Sequence, residues 1–168
     1  MTMKDYRTIV VGTDGSSLAE PTVGRASWLA KHDDANLVIV CAYSRLSRRD
    51  DAKNVATLGG DARVGQVLGR AAAGQALNEA MQVATNEGAT VTAALLIDEE
   101  PAEALIATAD EQGADLIVLG SLHDRTIVDR LLGSTAEAVV KGATCDVLIV
   151  RPELEDGDLE VPEDAVGL

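Results

Sequence analysis

Five short apolar runs separated by four helix-like stretches constrain this 168-residue chain more than any single residue does. The runs are Thr8-Ile-Val-Val11, Leu37-Val-Ile-Val40, Thr90 to Ile97, Leu116-Ile-Val-Leu119 and Val147-Leu-Ile-Val150. They are close to continuously apolar rather than alternating, which is how strands buried on both faces read. Between them come helical patterns. Ala19, Val23, Ala26 and Ala30 repeat at helical spacing, with Pro21 tolerated in the first turn. Residues 64–87 form the longest pattern, with Val67, Ala71, Gly74, Leu77, Met81 and Ala84 on one face and Gly88 as the C-cap. Pro101 opens a third helix with Ala104, Leu105, Thr108 and Ala109 inward, and Gly113 closes it. Ala136, Val139, Val140 and Ala143 mark the fourth, and Pro152 ends the last run. Residues 44–63 have no clear period and read as a long loop. Strands alternating with amphipathic helices give an α/β domain: a parallel sheet covered on both faces, with right-handed crossovers.

Composition agrees with that class. Apolar residues make up 46% and aromatic residues 2%, with no Phe, so Val, Leu, Ile and Ala must build the core. No apolar stretch approaches the roughly 18 residues that span a membrane, and Met1-Thr-Met-Lys-Asp-Tyr-Arg7 has no signal-peptide core, so a cytoplasmic location is expected. Cys41 and Cys145 adjoin predicted strands, lie in no metal-ligand spacing and read as small buried thiols. The net charge is −14. Half of it lies in residues 152–168, an acidic tail with seven acids and no base that is expected to be disordered. Such a surface argues against nonspecific binding to nucleic acid or anionic membranes.

In doubly wound sheets ligands bind beyond the carboxyl ends of the strands. Three features meet at that edge: Gly12-Thr13-Asp14-Gly15 after the first run, Cys41-Ala42-Tyr43 after the second, and the segment from Gly120 to Ser134 after the fourth. In the last, a glycine-framed loop runs from a strand into a helix N-terminus. The first-turn N–H groups and the helix dipole there favour an anion, and the glycines let backbone come close to it. Each piece also has a plainer reading. Gly120 could be a turn glycine, Ser134 with Glu137 and Ser17 with Glu20 could be capping boxes, and Asp14 could be an Asx cap. The loop is neither G-x-x-x-x-G-K-S/T nor G-x-G-x-x-G.

Four segments together resemble the universal stress protein family over residues 5–151: Val10-Val-Gly-Thr-Asp-Gly-Ser16, Ala114-Asp-Leu-Ile-Val-Leu-Gly120, Leu131-Leu-Gly-Ser134 and Cys145-Asp-Val-Leu-Ile-Val150. The resemblance implies one domain over residues 1–151 with a Rossmann-like, open doubly wound sheet of five strands in the order 3-2-1-4-5. It also implies an adenine nucleotide, ATP with or without Mg or cyclic AMP, and a dimer. By that resemblance, Asp14 reaches the ribose hydroxyls or a phosphate-bound metal, Gly12 (where ATP-binding members often have proline) and Thr13 belong to the same nucleotide site, and backbone near Ala42 reads the adenine edge. Leu119 and Gly120 line the ribose side, and Gly133, Ser134 and Thr135 hold phosphate. The family's ATP loop carries a second glycine where this chain has His123, which would either crowd a triphosphate or donate a hydrogen bond to it. Arg45, Arg48 and Arg49 begin at the same edge and either cover the pocket or form a solvated loop.

The expected function is therefore a stress-response regulator that binds an adenine nucleotide and dimerises through strand 147–151, with an unknown client protein. A nucleotide-free interaction module with a degenerate pocket is the alternative. Catalysis is not expected as the main function, because phosphoryl transfer ordinarily uses a cradling Lys and metal ligands, and the chain has neither a phosphate-loop lysine nor a kinase signature.

Overall fold

The computed structural model describes residues 4–45, 67–121 and 132–151. Among them the elements run β1 (Thr8–Gly12), α1 (Ala19–Asp33), β2 (Asn36–Ser44), β3 (Val67–Leu68), α2 (Arg70–Glu87), β4 (Thr90–Ile97), α3 (Pro101–Gln112), β5 (Leu116–Gly120), α4 (Ser134–Gly142) and β6 (Asp146–Val150). Every pairing is parallel, and the long strands lie in the order β4-β2-β1-β5-β6. That is the expected 3-2-1-4-5 order of the five runs.

The departure is β3. Val67 and Leu68 pair with Tyr43 and Ser44, just past the point where Ala42 meets Ile97 of β4, and so extend that side of the sheet. The helix expected from residue 64 therefore starts at Arg70. Gly69, at φ 89° and ψ 145°, takes a conformation closed to other residues, and its N–H continues the ladder to the Ser44 carbonyl at 3.0 Å. Residues 46–66, including most of the expected loop, lie outside the described residues.

Period-two alternation along the strands divides the core. Ile9, Val11, Leu37, Ile39, Leu116 and Val118 face α1 and α2, while Val10, Val38, Val40, Ile117 and Leu119 face α3 and α4. All but Val40, Leu116 and Leu119 in these two sets have no measurable exposure, and those three are nearly as buried. Burying a Val, Leu or Ile fully is worth about 1.5–3 kcal/mol, so this central ladder is the main source of stability. Two helix faces differ from expectation. On α2 the buried stripe is Ala73, Ala76, Leu77, Ala80 and Ala84, whereas Ala71 and Met81 are exposed. On α4 Val140 points outward. Cys41 is buried as expected, but Cys145 is only half-buried.

The amino ends of the strands are clamped by carboxylates. Asp115 accepts from the Arg7 and Thr8 amides at 3.0–3.1 Å, and Asp33 accepts from the Tyr6 amide at 2.9 Å. The Tyr6 hydroxyl donates to Asp146 at 3.0 Å, tying β1's lead-in to β6. The His32 ring and then the Tyr6 amide hold the Asp33 carboxyl below its ordinary range. Replacing Asp115 with Ala removes the acceptor for two backbone amides, one of them partly buried. The expected cost is about 1–2 kcal/mol, seen as a lower urea midpoint at unchanged slope. An unshifted midpoint would show that water serves those amides equally well.

Candidate functional site

Crossovers on opposite faces part the chain at the carboxyl ends of β1 and β5, and a cleft opens between them. Gly12, Thr13 and Asp14 form its wall after β1, and Leu119, Gly120 and Ser121 its wall after β5. Gly133, Ser134, Thr135 and Ala136 close one end with the start of α4. Val40 and Ala42 of β2 and Leu105 of α3 supply a buried apolar floor. Four stretches separated in sequence thus bring Gly12, Thr13, Asp14, Ala42, Leu119, Gly120, Gly133, Ser134 and Thr135 around one space. His123 lies outside the described residues.

The polar groups are of two kinds. Gly133 is the N-cap of α4, in extended conformation, and its carbonyl accepts from the Glu137 amide at 2.8 Å. The amides of Ser134, Thr135 and Ala136 come earlier in the turn and have no intrahelical acceptor. Among the described residues no side-chain cap answers them, and the alternative reading of Ser134 and Glu137 as a capping box does not hold. Glu137 instead accepts from Lys141 at 2.7 Å on the outer surface. At α1 the N-cap is Leu18, one residue past Ser17.

The second kind lies after β1. Asp14 Oδ1 accepts from the Ser16 amide at 2.9 Å, an Asx turn that leaves Oδ2 for another donor. Both readings of Asp14 are therefore compatible. The Thr13 amide donates to the Val40 carbonyl at 2.9 Å, while its hydroxyl, on a residue only 8% exposed, has no partner. A buried hydroxyl left without a partner is costly unless a ligand or water answers it. Asp14 is the charged side chain among the described lining residues. Cys41, next to Ala42, is no nucleophile: burial, helped by the Asp14 charge, pushes its thiol up to about 12.

Gly120 has a different reason from the one its motif suggested. A Cβ there would sit 2.8 Å from Leu18 Cδ2 and 3.0 Å from Thr22 Oγ1. The first turn of α1 rests on that glycine, and Thr22 Oγ1 is already committed to the Leu18 carbonyl at 2.6 Å. Close helix approach, not only ligand approach, requires a glycine at this position. Leu18, Thr22 and Pro101 also line the cleft and were missed, because nothing local in sequence places a helix start over a distant loop. Arg45 does not cover the cleft. It pairs with Asp98 beyond β4 at 2.6 Å and is absent from the lining. Arg48 and Arg49 lie outside the described residues.

A Rossmann-like α/β sheet with an anion-receptive helix start at its switch point defines a class whose members take nucleotides there. The family assignment is specific: residues 5–151 match the model of the universal stress protein family, and the chain belongs to that family. A universal stress protein of Mycobacterium tuberculosis strain H37Rv is 40% identical over 149 residues, covering 89% of this chain and 99% of that protein. A putative universal stress protein of Staphylococcus haemolyticus is 34% identical over 164 residues, covering 96% and 91%. Among solved structures, a universal stress protein in complex with cAMP superposes with a TM-score of 0.63 at 34% identity, covering 88% of this chain and 98% of the other. One from Archaeoglobus fulgidus in complex with dAMP gives 0.60 at 25% identity, covering 86% and 98%.

Replacing Gly120 with Ala should force Leu18 and Thr22 outward. A cost of about 1–3 kcal/mol is expected from overpacking, read as a drop in melting temperature. Gly12→Ala meets only the flexible end of Leu105, at 3.3 Å, and should cost less. Equal effects at both positions would mean that the contact with α1 is not what requires a glycine at 120.

Proposed function

We propose that this universal stress protein is a regulatory protein that binds an adenine nucleotide in the cleft. The observation that carries the reading is the pairing of an uncapped α4 N-terminus with an apolar floor and a free Asp14 oxygen around one space. Each matches one part of a nucleotide. The amides of Ser134, Thr135 and Ala136 receive phosphate. The floor of Val40, Ala42 and Leu105 takes the base, and Ala42 backbone at its rim reads the base edge. Asp14 Oδ2 accepts from ribose hydroxyls, with Gly12, Thr13, Leu119 and Gly120 beside the sugar and Gly133 giving the backbone turn at the phosphate. The relatives crystallised with cAMP and dAMP support this ligand class. No group of three metal-ligating side chains occurs among the described residues, so a Mg ion would arrive on a polyphosphate, with Asp14 as its nearest carboxylate.

Calorimetric titration with cyclic AMP, AMP and Mg-ATP tests the reading. At least one should bind saturably, and Asp14→Ala should weaken it about tenfold, or about 1.4 kcal/mol. A ligand lacking both ribose hydroxyls should show no such difference between the two proteins. Binding of none of the three would overturn the proposal in favour of an interaction module with an empty pocket.

The same protein is proposed to act as a dimer through β6. Among the described residues this edge strand has its outer backbone unpaired, and Val147 to Val150 are half-exposed. The Asp146 amide and Val150 carbonyl point toward β5 and its continuation. By alternation the backbone groups of Val147 and Ile149 point outward. Ile149→Pro removes an outward amide and spares the β5–β6 ladder. Light scattering should then report monomers with unchanged circular dichroism. A dimer that persists would place the interface elsewhere.

A further inference from the structure

At the end of the sheet opposite the cleft, the chain's one tryptophan stands in the open. Trp28 projects from α1 at 54% exposure. It borders a groove floored by Leu116 and Leu148 and flanked by Tyr6, Leu29 and Asp146. The indole is also held in place. It stacks on the His32 ring, with centroids 5.3 Å apart and planes 20° from parallel. His32 Nδ1 lies 2.8 Å from Asp33 Oδ1, and Asp33 Oδ2 accepts from the Tyr6 amide at 2.9 Å. An exposed aromatic ring already fixed in orientation loses little freedom when a partner covers it. Tryptophan is also enriched among the few residues that carry most of the energy of an interface.

The groove runs into β6, the edge strand whose outer backbone is unpaired among the described residues. A stable interface takes about 20–30 residues a side. β6 contributes five. A dimer through this strand must therefore cover surface beside it as well. On the α1 face that surface is apolar, because alternation turns Leu148 and Val150 toward α1.

We propose that Trp28 is an interface anchor for a second copy of this chain, covering the partner's Val150 across a two-fold axis beside β6. The inference rests on the β6 dimer proposed above and names the side chain that secures it. Symmetry brings the two groups together. In an antiparallel β6 pair the amino end of one strand lies opposite the carboxyl end of the other. A two-fold axis perpendicular to the sheet keeps both α1 helices on the same face. The Trp28 groove lies at the amino end of β6, beside Asp146, so it meets the carboxyl end of the partner strand. α1 rests mainly over β1 and β5. With strands about 4.8 Å apart, the two α1 axes then lie about 20 Å from each other. A helix with its side chains is about 10–12 Å across, so side chains of ordinary length leave an open trough above the paired β6 strands. Trp28 is long enough to enter it from each side.

The test uses the full chain, in which Trp28 is the natural fluorophore. Its emission maximum and its quenching by acrylamide are followed on dilution, beside sedimentation velocity. Emission from the dimer should lie to the blue of the diluted monomer and be quenched less. Trp28→Ala should raise the dimer dissociation constant about tenfold or more with unchanged circular dichroism, and Trp28→Phe should fall between. Ile149→Pro should give monomers whose Trp28 emission matches that of the diluted original. Emission that stays constant while the dimer dissociates would overturn the anchor and leave the β6 dimer standing, as would a Trp28→Ala dimer as tight as the original. If Ile149→Pro stays dimeric while Trp28→Ala does not, the second copy covers α1 without β6, and the contact with Val150 is overturned. A chain that is monomeric at every concentration would remove the dimer and its anchor together.

Discussion

The three parallel strands β2, β1 and β5, sealed on both faces, are the constraint from which the rest follows. Val10 lies level with Val38 on one side and Ile117 on the other, all without exposure. Parallel neighbours cannot be joined by hairpins, so each connection must cross a face as a helix. With right-handed crossovers, the chain moving from β1 toward β2 and β4 uses one face, and the chain returning to β5 and β6 uses the other. The strands β1 and β5 are then left side by side with their outgoing chains diverging. The cleft is a product of topology, and the residues in it only determine what it suits.

Much of this is legible in sequence because β-branched and Leu-rich runs of four or more residues, set between stretches that mix Ala with charged residues, have few other uses. What was not legible has specific causes. Val67 and Leu68 form a strand too short to show a period, and they continue a helical pattern that only the conformation of Gly69 interrupts. The α2 stripe was misplaced because Ala, which fills both the buried and the exposed side of that helix, carries little facial information. The Ser134–Glu137 capping box is a valid local pattern, but cap geometry is decided by where the chain enters the helix. At α4 that is Gly133, one residue before the serine.

The site shows the same division. Segments that end strands, from Gly12 to Asp14 and from Leu119 to Gly120, could be placed on one edge from the strand order alone. Leu18, Thr22 and Leu105 could not, because their positions depend on helix docking across the sheet. Gly120 joins the two levels. It closes the cleft wall, and it is also where α1 settles closest to the β5 end, with no room for a methyl group. The motif glycine therefore couples the shape of the site to the packing of a helix.

Both ends of the sheet expose backbone amides that need acceptors, and the chain treats them differently. At the amino end it supplies its own carboxylates, with Asp115 on Arg7 and Thr8 and Asp33 on Tyr6. At the carboxyl end, the acid nearest in sequence to the α4 amides, Glu137, is turned outward onto Lys141, and a lysine within hydrogen-bonding distance keeps its carboxyl ionised. The local solution that S-x-x-E offers is declined, and the first-turn amides of α4 stay available to an acceptor from elsewhere. In a protein of net charge −14, uncharged donors at a helix start can still attract an anion. Their field is local, whereas the opposing surface charge is screened over about 8–10 Å of salt solution. The charges able to contest the site are then those carried close to it, and among the described lining residues that is Asp14.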